Sequence, residues 1–286
     1  MKDYLLFMDV SGDVDRSYVE QGKVKLLPME FVINSDVYNY TDDETGMNAV
    51  EFYEFVRQKA PMSTTQISPT KWVEFVEPYL KEGNSVLCLC LSSGLSASYS
   101  SACIAAEELK AKYADVEFLP VDTLRATGVT GVICERMIAN KEKGMSITDN
   151  YNDLLAFRDK TAACAYVDDL DSLKRGGRIS KAVAFVGGLL GIKPLIQFNK
   201  DGTLSMWSKQ RGYKPSIHKL VEYYAEKADP AETVYITHAN DETYANELAA
   251  EIKAVCPNAN IKIRLLSPII GVHLGTSAMV LGFVEK

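Results

Sequence analysis

Apolar runs of strand length alternate with amphipathic segments of helix length along most of the chain. The run at 86–91 (Val-Leu-Cys-Leu-Cys-Leu) is apolar without alternation, which is typical of a central parallel strand covered on both faces. Residues typical of turns separate other apolar runs, as at Asn34-Ser35-Asp36 and Asp201-Gly202. The pattern predicts strands over 4–10, 26–33, 37–40, 86–91, 116–121, 161–167, 194–198, 203–208, 234–238, 262–266 and 279–284.

The amphipathic segments also carry helix start signals. Ser68 precedes Pro69, as an N-cap precedes a proline at the first helical position. The spacing of apolar residues predicts helices over 48–58, 69–81, 98–112, 125–143, 148–158, 178–187, 215–228 and 242–254. Strands that alternate with helices favour an α/β fold.

The length of the chain, 286 residues, favours two domains over one. We predict an N-terminal α/β domain over 1–160 with a mainly parallel sheet flanked by helices. The predicted C-terminal α/β domain, over 161–286, has a mixed or antiparallel sheet with helices.

Charge and composition narrow the class of function. The net charge is −7 and the pI is about 5.2, which disfavours binding to nucleic acid or to anionic membranes. Asp3 and Asp9 leave too short an apolar run for a signal peptide, and the apolar stretch at 182–192 is too short to cross a bilayer. The six cysteines show no CxxC spacing and sit mostly in apolar segments, as reduced thiols do. We expect a cytoplasmic protein.

A serine-rich loop follows the strand at 86–91 and opens the next helix. Hydroxyl groups of Ser92, Ser93 and Ser96, with free backbone N–H groups around Gly94, suit a phosphate or carboxylate. An ordinary capped helix explains the same residues. A serine hydrolase is disfavoured because the loop lacks the G-x-S-x-G elbow and no histidine spacing marks a triad.

Three further segments carry polar groups. Thr64 and Thr65 lie in a hydroxyl-rich loop at 61–69, beyond what the helix cap at Ser68 needs. A basic run at 174–181 reads as a solvated turn before a helix and lacks the P-loop order. His273 lies between two glycines in an apolar, strand-like stretch at 267–276, where a core histidine is the alternative to a ligand-binding one. No H-E-x-x-H or EF-hand spacing supports a metal site.

Four ordered motifs together resemble the DegV family of fatty-acid-binding proteins. Residues 64–69 (TTQISP) are similar to the family's TSQPSP, and 92–99 (SSGLSASY) to its SSxLSGTY. Residues 174–181 with 188–194 contain its GGRISK and LLxIKP motifs, and 271–275 (GVHLG) match its GxHxG. The motifs span some 210 positions in order.

The resemblance implies two α/β domains with a long-chain fatty acid buried between and within them. It implies that Thr64, Ser93 and His273 bind the carboxylate. Thr65, Ser92, Gly94, Ser96 and Arg211 are implied as secondary contacts to the head group, Arg211 because it resembles a family arginine near the domain interface. A separate fatty acid kinase would phosphorylate the bound acid, so this chain would be a binding protein without catalytic residues, cofactor or metal. Transient contact with membrane lipid fits this role.

Several residues depart from the family pattern. The sequence has Val10-Ser11-Gly12 where a hydroxyl-richer run is usual, and Ile67, Ala97 and Thr276 replace a proline, a glycine and a proline. These departures bear on chain-length preference and on kinase compatibility. Two other functions stay open: a dihydroxyacetone-kinase-like phosphotransfer subunit that binds a small hydroxyketone through His273 or His238, and an interaction protein with an empty cavity.

Overall fold

The computed structural model of the chain describes residues 3–41, 47–167, 170–179 and 191–286. Its strands, in chain order, are β1 (Tyr4–Asp9), β2 (Lys25–Leu27), β3 (Met29–Ile33), β4 (Asp36–Tyr40), β5 (Met62–Thr64), β6 (Ser85–Cys90), β7 (Phe118–Asp122), β8 (Thr161–Tyr166), β9 (Ile192–Phe198), β10 (Leu204–Arg211), β11 (Thr233–His238), β12 (Asn260–Leu265) and β13 (Met279–Val284). The described helices are α1 (Arg16–Glu20), α2 (Ala49–Arg57), α3 (Pro69–Lys81), α4 (Ser98–Lys112), α5 (Gly128–Glu142), α6 (Ile147–Arg158), α7 (Asp171–Arg175), α8 (Tyr213–Lys227), α9 (Glu242–Val255) and α10 (Pro268–Leu274).

The strands form three sheets. The first is parallel, in the order β2-β1-β6-β7, and the second is mixed, in the order β10-β9-β8-β13-β11-β12. A third, small antiparallel sheet has the order β4-β3-β5; the pattern predicted the turn that joins β3 to β4 but neither β5 nor a separate sheet. The predicted fold class, with one parallel and one mixed sheet flanked by helices, is confirmed.

The prediction of a single strand over 26–33 is wrong, because the chain passes from one sheet to another at Pro28. Residues before Pro28 pair with β1 in the parallel sheet, and residues after it pair with β4 and β5. Proline has no N–H for a ladder, so it favours a break between two strands over the middle of one. The tight turn predicted after β3 is confirmed, with Asn34 and Ser35 at φ 51° and 78°.

Two other predicted elements differ from the structure. The helix predicted over 125–143 begins only at Gly128, because Thr127 has a positive φ of 61° that ends the preceding loop. The reading of 267–276 as strand-like is also wrong. Helix α10 lies there, with Ser267 as N-cap and Pro268 in the first turn. The helix predicted over 178–187 lies outside the described residues from Ser180 onward, while Arg178 and Ile179 follow α7 in a turn.

One hydrophobic core joins the two large sheets. Phe7 and Cys88 from the parallel sheet belong to the same cluster as Ala165, Ile196 and Val280 from the mixed sheet. Helix α5 lies close to both: a Cβ on Gly282 of β13 would lie 2.7 Å from Val129 Cβ. Glycine at this contact therefore lets helix and sheet approach closely. Among the described helices, none has the length and apolar character needed to cross a bilayer.

Candidate functional site

Thr64 and His273, 209 positions apart in sequence, meet in space: Thr64 Oγ1 lies 3.0 Å from His273 Nε2. Thr64 ends β5, where it pairs with Phe31 of β3. His273 lies in the last turn of α10. The small antiparallel sheet and the short helix together therefore bring these two polar side chains into hydrogen-bonding contact.

The start of α10 is fixed from the loop that follows β1. The Ser267 N–H donates to Asp13 Oδ1 at 3.0 Å, which satisfies the backbone N–H of the N-cap residue. Gly271 brings the helix against α2, since a Cβ there would lie 2.7 Å from Phe52 Cε1. These contacts set the position from which His273 projects.

The His273 ring is held uncharged. Burial, with the nearby Arg178 guanidinium as the second cause, lowers the pKa of His273 from 6.5 to about 4. Its Nδ1 atom is buried and has no hydrogen-bond partner among the described residues. The Gly176 backbone packs against this edge, because a Cβ on Gly176 would lie 2.5 Å from Nδ1. At neutral pH the ring is therefore a neutral partner for Thr64.

Arg178 supplies the positive charge at this site, and the sequence analysis did not single it out. Its Nε donates to Leu95 O at 3.0 Å and its Nη1 donates to Gly176 O. A guanidinium has five N–H donors. Within the part of the chain that the structure describes, two of them are used, so Arg178 can bind an anion with the rest.

Arg178 and His273 lie on the wall of a cavity between the two large sheets. The cavity contains about 490 Å³ of space, including its opening to solvent, and the centre of a water molecule fits in about 50 Å³ of it. Apolar side chains form most of the wall. They include Leu95, Leu173, Ile196, Phe198, Ile270 and Val280. The cavity is thus a narrow apolar space that Arg178 and His273 border.

The serine-rich loop is held in place by Asp9 at the end of β1. The Asp9 Oδ2 atom accepts from Leu91 N–H at 2.7 Å, and burial raises the pKa of this carboxyl. Ser92 is buried, and its hydroxyl donates to Gly202 O at 2.8 Å. This hydrogen bond ties the loop to the β9–β10 turn, so Ser92 has a structural role in joining the two sheets.

The structure separates the remaining residues of this loop. Ser93 is exposed; its N–H donates to Asp122 Oδ1 at 3.1 Å, and the residue does not line the cavity. Ser96 shares a hydrogen bond with Ser98 at 3.1 Å, and Ser98 Oγ accepts from Ile67 N–H in the threonine loop. The side of the loop that carries Ser96 therefore joins the segment that carries Thr64.

The other predicted contacts lie elsewhere. Thr65 is exposed and its hydroxyl donates to Glu30 at 3.3 Å. Gly94 packs against the β9–β10 turn, where a Cβ would lie 2.5 Å from the Gly202 carbonyl carbon. Arg211 is exposed at the end of β10. Among the described residues, no hydrogen bond joins Arg211 to Thr64 or His273, and Arg211 does not border the cavity.

The other two histidines do not border this cavity. His238 is buried and its Nδ1 accepts from Asp241 N–H at 2.9 Å, which fixes the turn after β11. His218 is exposed and lies 3.4 Å from a Glu251 carboxylate oxygen. His273 is the histidine that lines the cavity.

Comparisons with known proteins agree with this architecture. The model of the family described as "Uncharacterised protein, DegV family" matches residues 5–286. A DegV domain-containing protein of Clostridium perfringens is 33% identical over 287 residues, covering 99% of this chain and 98% of that protein.

Two solved structures extend the likeness to three dimensions. A DegV lipid-binding protein from Thermotoga maritima has a TM-score of 0.87 at 26% identity, covering 100% of this chain and 99% of that one. DegV from Bacillus subtilis, described as a fatty-acid-binding protein, has a TM-score of 0.86 at 26% identity with 100% of both chains covered. The chain belongs to the DegV family.

Proposed function

We propose that this protein binds a long-chain fatty acid, with the carboxylate at Thr64, His273 and Arg178 and the acyl chain in the cavity between the sheets. One observation carries the proposal. His273, which is neutral and hydrogen-bonded to Thr64, and the nearby Arg178 both border a mainly apolar cavity. The described relatives from Thermotoga maritima and Bacillus subtilis, a lipid-binding and a fatty-acid-binding protein, support the same ligand class.

The head group is matched by charge and by hydrogen bonding. The N–H groups of Arg178 that have no partner among the described residues neutralise a carboxylate through charge-assisted hydrogen bonds. When His273 Nε2 carries the proton and donates to Thr64 Oγ1, the Thr64 hydroxyl hydrogen is left to donate to the carboxylate. The site holds one negative charge without a second buried cation.

The acyl chain contributes through burial, at ~0.8 kcal/mol for each CH₂ removed from water. An engineered cavity of about 150 Å³ admits benzene, and the clear space here is about 50 Å³. Side chains of the wall therefore move apart when a long chain enters.

Binding measurements on head-group variants test this assignment. Arg178→Met should weaken palmitate binding about tenfold to a hundredfold, because it removes a charged hydrogen-bonding partner. Thr64→Val should weaken it by about tenfold. Arg175→Met is the matched control: Arg175 is exposed three residues earlier and its guanidinium donates to Ser172. Equal affinity in Arg178→Met and Arg175→Met would contradict the carboxylate assignment.

The same assay decides which serine contacts the head group. The resemblance implies Ser93, whereas the hydrogen bonds from Ser96 through Ser98 to Ile67 favour Ser96. We propose Ser96. Ser96→Ala should then weaken binding more than Ser93→Ala, and the opposite order would restore the role of Ser93.

We further propose that the protein presents the bound carboxylate to a separate fatty acid kinase, which converts it to an acyl phosphate with ATP. Exposed basic residues, Lys174 and Arg175, lie beside Gly176 and Arg178 at the head-group site. They suit an acidic partner surface or its nucleotide. Lys174→Glu with Arg175→Glu should slow acyl phosphate formation, trapped as hydroxamate, without weakening palmitate binding. An unchanged rate would exclude this face as the contact.

A further inference from the structure

The position of the cavity on the mixed sheet distinguishes its two ends. Helix α7 follows the end of β8 and helix α10 precedes the start of β13, where Tyr166 of β8 pairs with Met279 of β13. Both helices therefore lie beyond the same end of the sheet. Leu173 of α7 and His273 of α10 border the cavity. The proposed carboxylate site is thus at this end, which we call the helix end of the cavity.

Phe198 borders the cavity at the opposite end. It is the last residue of β9, and the antiparallel register of β8 with β9 places it across from Ala163. Ala163 lies three residues before Tyr166 in β8, or about 10 Å along the strand. Phe198 packs toward the core that joins the sheets, as Ile196 on the same face of β9 does, and both border the cavity. The ring of Phe198 therefore lies on the cavity side of the sheet, away from the helix end.

A buried arginine packs against Phe198. The guanidinium carbon of Arg125 lies over the ring, 5.8 Å from its centroid, and Arg125 is 6% exposed. Its Nη1 donates to Leu124 O at 2.8 Å, its Nη2 to Thr161 O at 2.7 Å and its Nε to Thr161 Oγ1 at 3.2 Å. Thr161 is the first residue of β8, on the side of Ala163 away from the helix end. Within the described chain, neither Arg125 nor Thr161 borders the cavity.

The character of the interior therefore changes at Phe198. On the cavity side, an acyl chain contacts apolar side chains, and each further CH₂ that is buried there strengthens binding about fourfold. Past the ring, the chain would meet a guanidinium and the carbonyl groups to which it is hydrogen-bonded. An acyl chain cannot replace those hydrogen bonds, so displacing them is unfavourable.

We propose that Phe198 ends the acyl cavity and so determines the longest fatty acid whose whole chain is buried. The inference rests on the proposed function and adds the chain-length class of its ligand. With the carboxylate at the helix end, the methyl end of the longest such acid contacts the Phe198 ring. Longer acids gain no further burial at this end of the cavity.

The test measures dissociation constants for the even-numbered saturated acids from decanoic to docosanoic acid. For the wild-type protein, affinity should rise about fourfold with each added CH₂ up to one chain length and stop rising beyond it. Phe198→Ala should move this limit to a longer acid, by about two carbons or more, because the space of the ring becomes available to the chain. Phe198→Trp should move the limit to a shorter acid, because the larger ring extends into the cavity.

Phe157→Ala is the matched control. Phe157 also packs against a guanidinium, with Arg136 Cζ 5.3 Å from its ring centroid, but it does not border the cavity among the described residues. This variant should keep the wild-type limit. Phe198→Leu is a smaller change that should move the limit in the same direction as Phe198→Ala, so the test does not depend on the folding of the more severe variants.

The outcomes separate this inference from the proposed function. If affinity keeps rising through docosanoic acid in the wild type, the cavity does not end at Phe198 and the inference is wrong while fatty-acid binding stands. An unchanged limit in Phe198→Leu and Phe198→Ala also overturns it, since another residue then ends the cavity. If none of the acids binds the wild type, the proposed function itself fails.

Discussion

The protonation state of His273 depends in part on a neighbouring glycine that packs against its ring. Gly176 has no side chain, so its backbone can lie against the imidazole edge that contains Nδ1. The other edge of the ring contacts Thr64. Burial between these two neighbours keeps the ring neutral, which leaves Arg178 as the positive charge beside it.

Gly176→Ala should therefore weaken fatty-acid binding, by about tenfold, because a methyl group 2.5 Å from Nδ1 forces the ring to move. Gly177→Ala is the matched control. Gly177 has a φ of 73° and open space around its Cα, so that change should lower the free energy of unfolding by about 1 kcal/mol with little effect on affinity. Titration with palmitate and chemical denaturation measure the two effects, and equal affinity in both variants would contradict this role of Gly176.

Burial of His273 also predicts a pH dependence of stability. Its pKa in the fold is about 4, below the ordinary 6.5, so between these values the unfolded chain binds a proton that the fold does not. The free energy of unfolding should be unaffected by this group above pH 6.5 and should fall as the pH drops toward 4, by on the order of 2–3 kcal/mol.

The variant His273→Asn isolates this contribution. Carboxyl groups with shifted pKa values, such as that of Asp9, titrate in both proteins. Their contributions therefore cancel in the difference between the two free energies of unfolding. Denaturation curves at a series of pH values should therefore show a shallower decline in the variant. Parallel declines in the two proteins would mean that His273 is not held neutral by the fold.

At the scale of elements, several segments were predicted with the bounds that the structure shows. The predicted bounds of α3, α4 and β13 agree with the structure. The short apolar stretch that forms α10 was misread as strand-like, because a run of this length has no clear period. Its Ser267-Pro268 start had the same helix signal that identified α3.

Prediction of the site residues was limited for a similar reason, because sequence patterns describe neighbours along the chain and not contacts in space. Motif order placed Thr64 and His273 together, although the contact between them depends on β5 and α10, which the pattern did not reveal. The basic run was read as a solvated turn, which fits the exposed Lys174 and Arg175 but not Arg178. Which arginine of a basic run turns inward depends on tertiary packing, here the hydrogen bond from Arg178 to Leu95.

The element that carries His273 should be sensitive to Asp13. Asp13→Ala leaves the buried Ser267 N–H without its acceptor, which should lower the free energy of unfolding by about 1–3 kcal/mol and weaken fatty-acid binding as α10 loosens. Asp13→Asn retains an acceptor oxygen and should have the smaller effect on both. Denaturation and palmitate titration of the two variants test this, and equal effects would show that the Asp13 charge matters rather than its hydrogen bond.

At the scale of the whole molecule, a shared core and polar contacts join the two large sheets. The ammonium group of Lys262 in β12 lies 3.0 Å from an Asp15 carboxylate oxygen and 2.8 Å from one of Glu135 in α5. The β9–β10 turn packs against the serine-rich loop through Gly94 and Ser92. These contacts couple the predicted domains 1–160 and 161–286.

Such coupling predicts one calorimetric unfolding transition, even though chains of this size often unfold domain by domain. Palmitate at a hundred times its dissociation constant should raise the free energy of unfolding by about 2.7 kcal/mol and shift the whole transition upward. Calorimetry with and without palmitate measures both effects. Two separate transitions, with only one shifted by the ligand, would show that the sheets unfold independently.

The central claim is that this protein binds a long-chain fatty acid, and mass spectrometry tests it most directly. Native and denaturing spectra of freshly purified protein are compared, and the released material is extracted with solvent and identified. The account predicts a non-covalent mass in the native spectrum that matches a long-chain fatty acid and that is lost on denaturation. The bare protein mass in both spectra, together with no uptake of added fatty acid, would contradict the account.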